Sequence, residues 1–468
     1  MNYIVKTKIH FLWIIYYVFN IAIKCVIYTF AFNFLQHLFQ FTDIMKYIFV
    51  SFIGLFLIIR QGLYWRNFSL KFNTDILTLR EGGIFVREKK IHFKDIEGYN
   101  EKANILEKLF KLSSLTLKLE KSSNESNITL PYIRKKYINE IKSYITSETE
   151  YNLNEDYNYY YKLSFLQLLK GSMTSLNILV FFTFFYSIYE NLNTIFNFDS
   201  MIQRVKRVYL ESVTNIIIGT IMLLFLILLF GILKNFIQFG SFKLIDDQNF
   251  IYTYWGVISR YDNAVDKREI SAIKIHSTFW QKFFSINKIS VIILNSKSKN
   301  IENNIVFPFI EKSKIKKILK ELFGLNLYDK SYYRLTKHST FTKLFRTSWS
   351  WLFILPTLLY FFKSYWLIFV ILIALVLFSQ ITQAFLNKYY YTNDLLIYKQ
   401  SGISFNEYII NFDNIEDLIV TQNLLQRIFG VCSVLIVIKD SPPKKIKLHD
   451  IYDKHAYDIA KIFRYHND

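Results

Sequence analysis

Long apolar runs alternate along this chain with stretches in which apolar and polar residues take turns. About 20 apolar residues carry a helix across the hydrocarbon of a bilayer. Six runs approach that length: Phe11–Phe34, Met45–Leu63, Leu176–Leu192, Ser212–Phe236, Trp349–Phe362 and Tyr365–Ala384. Short links join them two by two, which predicts three membrane hairpins over 1–63, 176–236 and 349–385. The first run is too long and too aromatic for a cleaved signal peptide.

The polar stretches carry a different period. FSLKFNTDILTLREGG and SFKLIDDQNFIYTYWG alternate apolar and polar residues around an Asn/Asp turn, as a β-hairpin does. Each stretch ends in helical spacing. Ile133, Tyr137, Ile138, Ile141 and Ile145 share one face, as do Ile310, Ile315, Ile318 and Leu322. Short strands closed by one amphipathic helix describe a small β-barrel or sandwich. The expected domains are 64–150, 237–330 and 386–468, with juxtamembrane segments at 151–175 and 331–348. Those segments hold YKLSFLQLLKGS and YRLTKHSTFTKLFRTS, whose aromatic, basic and apolar mixture suits an interfacial helix.

The three domains repeat one another. Gly82, Ile96 and Phe110 are spaced by 14 residues each, as are Gly256, Ile270 and Phe284. Gly402, Ile415 and Phe429 follow at 13 and 14. The third marker closes a recurring phrase: ILEKLF, FWQKFF and LLQRIF, each followed by a strand-like run. As a sequence pattern the phrase reads as packing, a helical turn and strand that help to build each barrel core. The three glycines suit a tight reversal.

This spacing, with LLQRIFG at 424–430 as its best instance, resembles the bacterial pleckstrin-homology-like (PH-like) domain of the YdbS/YdbT membrane-flanked family. KLFKL at 108–112 and KFFSI at 282–286 lack the glycine that follows Phe429. Three such domains, each behind two spans, look like the longer, three-domain members. The resemblance implies a multi-pass α-helical membrane protein with six transmembrane helices as three hairpins. It adds three cytoplasmic PH-like domains, each closed by a C-terminal helix. It also implies a partner, either a smaller YdbS-like membrane protein or a second copy by self-association. A role in envelope integrity or in resistance to membrane-active peptides comes from the same source.

Charge fits a membrane surface. The net charge is +20, and bases cluster at the N-terminus and after each hairpin. The links within the first and third hairpins hold almost none, although Arg204, Lys206 and Arg207 break the trend in the second. By the positive-inside rule both termini and all three domains face the cytoplasm. The spans account for the charge, so nucleic acid is not expected as a partner. The middle domain is the most basic, with about 20 Lys and Arg against about 9 acids between residues 234 and 348. Its bases Lys314, Lys316 and Lys317, and the phrase's own Lys108, Lys282 and Arg427, are candidate contacts for anionic lipid.

Lys24 stands within an apolar run with Asn20 one turn before it. A mid-bilayer lysine costs on the order of 2.5–3.5 kcal/mol, so the pair is a candidate intramembrane polar site. Snorkelling of a tilted helix is the structural alternative. No nucleophile elbow, zinc-binding helix motif, phosphate loop or dinucleotide fingerprint occurs. Two cysteines and eight scattered histidines, His92 and His276 among them, offer no metal spacing. No enzyme activity and no cofactor are expected. The leading expectation is a non-enzymatic membrane protein whose domains mediate assembly or bind anionic lipid. The alternative is a transporter or lipid-moving protein using the six-helix bundle.

Overall fold

The computed structural model describes residues 5–39, 43–119, 127–146, 160–173, 203–205, 208, 212–247, 249–293, 304–325, 331–345, 366–439 and 443–467. Its first repeat runs β1 (Val5–Thr7), α1 (Leu12–Phe39), α2 (Asp43–Asn67), β2 (Ser69–Phe72), β3 (Ile76–Gly82), β4 (Val86–His92) and β5 (Ile96–Ala103). It ends with α3 (Ile105–Leu109), β6 (Leu112–Leu119), β7 (Asn127–Arg134) and α4 (Lys135–Thr146). The second begins with β8 (Tyr161–Lys162), α5 (Phe165–Met173), α6 (Val213–Phe239), β9 (Lys243–Asp246), β10 (Phe250–Trp255), β11 (Arg260–Asp266) and β12 (Ile270–Thr278). There follow α7 (Phe279–Phe283), β13 (Ile286–Ile293), β14 (Ile305–Glu311) and α8 (Lys312–Phe323). The third holds β15 (Tyr333–Arg334), α9 (Lys337–Phe345), α10 (Trp366–Leu386), β16 (Lys388–Tyr391), β17 (Leu395–Gln400), β18 (Ser404–Asn411) and β19 (Ile415–Thr421). It closes with α11 (Leu424–Ile428), β20 (Val431–Ile438), β21 (Lys444–Tyr452) and α12 (Asp453–Asn467).

The chain divides into two compact units, Met1–Asn158 with Ile258–Asp266, and Tyr159–Val257 with Lys267–Asp468. In the first, β1-β2-β3-β4 form one antiparallel sheet and β11-β5-β6-β7 lie side by side in another. The hairpin expected around Asn73 forms, its carboxamide oxygen accepting the Ile76 amide at 2.7 Å. In the second unit, β8-β9-β10 pair in order. A seven-stranded sheet runs β14-β13-β12-β18-β17-β16-β15, and β19-β20-β21 form a third. The juxtamembrane echo read at Tyr161 and Tyr333 is a short strand followed by a helix, β8–α5 and β15–α9. A third copy, β1 leading into α1, stands at the N-terminus and was hidden by its different residues.

The half-sheets of a repeat pack face to face. In the third repeat Leu396, Tyr398 and Ile410 from one meet Val434, Ile436 and Leu448 from the other, with Ala456 and Ile459 of α12 closing the end. The closing helices bury the stripe their spacing calls for: Ile138 and Ile141 in α4, and Ile315, Ile318 and Leu322 in α8. One buried ion cluster is invisible in the sequence. Lys142 of α4 bonds Glu101 of β5 at 2.8 Å and also Asp262 of β11, and its ammonium stands 4.7 Å from the centre of the Tyr99 ring.

One expectation needs correction. The six-helix membrane bundle is not what the described residues hold. Two helices, Tyr47–Asn67 within α2 and Val213–Phe239, are long and apolar enough to cross, while Leu12–Ala22 and Val376–Leu386 are shorter apolar segments. The runs expected at 176–192 and 349–362 lie outside the described residues. Among the described residues four antiparallel sheets stand beside the helices and hold much of the chain's Ile, Val, Phe and Tyr in strand cores. Between repeats, the third meander strand of one pairs with the fifth strand of the repeat before it.

Candidate lipid interface

The recurring phrase folds into the same five-residue helix three times, as α3, α7 and α11. Each is entered through a capping box, Asn104 with Glu107, Thr278 with Gln281, and Asn423 with Gln426. The third helical residue turns back to accept the amide of the residue before the helix, at 2.8 Å from Glu107 and 3.0 Å from each glutamine. That hydrogen bond fixes the direction of entry, and it explains why an acid or amide recurs in the phrase. All three side chains are buried. Gln426 also donates to Ser433 Oγ at 2.7 Å and Asp450 Oδ1 at 2.6 Å.

The exit is equally uniform. Gly430 ends α11 in the left-handed region at φ 61°. Lys111 and Ser285 hold φ 53° and 55° at the matching places. Loss of the glycine has therefore not changed the turn. The amide after the last strand bonds back to this residue in all three repeats: Lys135 to Lys111 at 3.0 Å, Lys312 to Ser285 at 2.9 Å and Asp453 to Gly430 at 3.3 Å. The closing helix thus begins beside the turn.

With the polar residue facing inward, the apolar ones face out. Leu109 is 73% exposed, Phe283 75%, and Leu424 and Ile428 80% and 74%. Ile105, Leu106, Phe279 and Trp280 are also exposed. Phe110 and Phe284 are about half exposed and Phe429 is partly buried. The phrase read as core packing is core only in its strand, where Leu115, Ile289 and Val434 are fully buried. Of the other markers, Ile96 and Ile415 are buried and Ile270 is half-buried.

A second apolar tip lies at the hairpin before it. Ile84 and Phe85 are exposed after Gly82, Val257 and Ile258 after Gly256, and Ile403 after Gly402. Gly82 and Gly256 have positive φ, 141° and 97°, whereas Gly402 does not. A side chain at Gly82 would collide with the Phe85 carbonyl.

Both kinds of tip adjoin the apolar helices. The Asn67 carboxamide at the end of α2 donates to the Gly83 carbonyl at 2.7 Å, and the Val257 amide donates to Ile237 of α6 at 3.0 Å. Ring contacts link Phe110 with His10 just before α1 (6.4 Å), Phe279 with Phe378 of α10 (6.2 Å) and Phe429 with Phe341 of α9 (5.2 Å).

Each short helix carries one exposed base, Lys108, Lys282 or Arg427. Lys108 Nζ donates to the Ile258 carbonyl at 2.7 Å. Partial burial, then Arg260 and Lys135, lower its pKa. Lys282 lies 3.5 Å from the centre of the Phe405 ring. Burial lowers its pKa too, followed by Lys312, Lys388 and Lys399. These two bases thus sit among like charges. At the third turn the closing helix opens with Asp453, which accepts from Gln422.

Lys314, Lys316 and Lys317 are exposed on α8, with Lys314 3.6 Å from Glu311 and Lys317 3.8 Å from Glu321. Lys24 is exposed on α1 and Asn20 half-buried. The outward apolar tips were missed in the sequence, though a buried polar residue inside an apolar phrase was the available sign.

A family model for the bacterial PH domain matches three times, at residues 23–149, 198–325 and 350–465. The chain belongs to the bacterial PH domain family. Among curated proteins it is similar to the UPF0699 transmembrane protein YdbT of Bacillus subtilis (strain 168), 20% identical over 343 residues, which span 69% of this chain and 70% of that protein. No solved structure matches. The bacterial PH repeats give the three turns one common setting, a half-sheet boundary beside an apolar helix.

Proposed function

We propose that this chain is a non-enzymatic integral membrane protein whose three PH repeats lie on the cytoplasmic face and hold anionic lipid headgroups at their base-bearing turns. One observation carries the reading. In every repeat a short helix turns its apolar side chains outward, carries an exposed base and lies beside an apolar segment or the helix leading to one. Outward Leu, Ile and Phe in water are unfavourable as a patch, whereas at the acyl boundary the same side chains are at home.

Each base near an anionic surface contributes about 1 kcal/mol. Three such turns give a weak but additive preference. The apolar helices α2 and α6, and the transmembrane character stated for the Bacillus relative, support membrane residence. The bases that follow the apolar runs support the cytoplasmic side. Maintenance of the envelope against membrane-active peptides is a setting that fits a protein holding anionic lipid.

Native mass spectrometry of the full chain released from nanodiscs of mixed phosphatidylcholine and phosphatidylglycerol tests this reading. The wild type is expected to retain phosphatidylglycerol in excess of its share, and a Lys108→Glu, Lys282→Glu, Arg427→Glu variant to lose the excess. Equal retention by both proteins would refute it.

A further inference from the structure

Every repeat contributes two half-sheets, and the boundary between repeats is a strand pair. β11 lies antiparallel on β5, and β18 on β12. The register is the same at both boundaries. Val265, next to last in β11, faces Gly98, two residues after Ile96. Ile410, next to last in β18, faces Ala272, two residues after Ile270.

The first and last repeats leave this arrangement incomplete. Among the described residues β4 pairs with β3 alone and β19 with β20 alone. The order β1-β2-β3-β4 is the first half of the seven-stranded sheet, and β19-β20-β21 is its second half. Burial agrees. β11 is buried from Asp262 to Asp266, whereas in β4 only Ile91 is. In β19 Glu416, Asp417, Ile419 and Thr421 are exposed. Two unpaired edges of this length are templates for another strand.

Their charges are opposite. β4 carries Arg87, Lys89 and Lys90 against Glu88, while β19 carries Glu416 and Asp417 and no base. In the register of the internal boundaries Ile91 faces Asp417 and His92 faces Glu416. Lys90 then stands diagonal to Glu416, within reach for a long side chain, while Lys89 stays paired with Glu81 at 2.6 Å. The same register sets the apolar tip at Ile84–Phe85 beside the start of α11. It gives Arg427 the Ile84 carbonyl, as Lys108 has that of Ile258. Both partners then present their tips to the same side.

We propose that β4 of one copy pairs with β19 of a second copy in this register, so that the chain associates head to tail in the membrane. The contact is heterologous, made by two different surfaces. It stands independently of lipid binding.

The test uses the full chain in nanodiscs wide enough for several copies, with Cys25 and Cys432 replaced by Ala. A Lys90→Cys chain and a differently tagged Leu418→Cys chain are mixed and oxidised. Mixed dimers are expected for this pair and not for Lys90→Cys with Ile419→Cys, whose side chains point to opposite faces. Mass photometry of the uncross-linked protein gives a second reading. Glu416→Lys with Asp417→Lys is expected to leave monomers, as is Arg87→Glu with Lys90→Glu, and the two sets combined in one chain to restore association. These residues are exposed, so folding is retained, which circular dichroism checks. A wild type that stays monomeric, equal cross-linking of both cysteine pairs, or assembly only with a different protein would overturn the proposal.

Discussion

At the scale of single residues, the turn after each short helix measures what a glycine contributes. A non-glycine residue in the left-handed region costs roughly 1–2 kcal/mol, partly offset by the chain entropy that glycine adds to the unfolded state. Lys111→Gly and Ser285→Gly are therefore expected to stabilise by up to about 1 kcal/mol, and Gly430→Ala to destabilise by a similar amount. Thermal unfolding midpoints in detergent check all three. Lys274 of β12 makes a pH-dependent contribution. Burial, then Lys444 and Lys288, push its pKa down to about 8 from 10.5. Between those values the unfolded chain binds more protons than the folded one, so stability rises with pH there. Denaturation at pH 7 and 9.5 is expected to show that rise in the wild type and a smaller one in Lys274→Met, which is also the more stable protein at pH 7.

At the scale of elements, strands and closing helices were legible because their periods are local. Ile133, Ile138 and Ile141 lie on one face whatever α4 packs against, and Asn73 makes its turn within four residues. The outward face of the short helices was not legible. ILEKLF has the composition of a core segment, and only the capping bond of Glu107 decides which side is inward. The pairing of β11 with β5 was equally hidden, since their partners are some 160 residues apart. Lys142 secures that pairing, and removing one member of a buried ion cluster costs about 3–5 kcal/mol. Lys142→Met is expected to lower hydrogen-exchange protection in β5 and α4 while α12 keeps its own. Unchanged protection in β5 would show that the cluster does not hold this boundary.

For the whole molecule, the repeats place three apolar, base-bearing turns and three glycine-led or serine-glycine hairpin tips beside apolar helices. Hydropathy marked the apolar helices α1, α2, α6 and α10, and the two further runs lie outside the described residues. The third turn differs from the others in charge, with Asp453 where they have Lys135 and Lys312. Arg427→Glu alone is accordingly expected to reduce retention of anionic lipid less than Lys282→Glu alone, read by the same mass-spectrometric assay. The most direct measurement is the depth of the turns. Spin labels at Leu109, Phe283 and Ile428 of the full chain in nanodiscs report collisions with oxygen and with a water-soluble nickel complex. The expected result is high oxygen and low nickel accessibility at all three, against the reverse at exposed Lys461 of α12. Nickel accessibility at the turns equal to that at Lys461 would contradict the account.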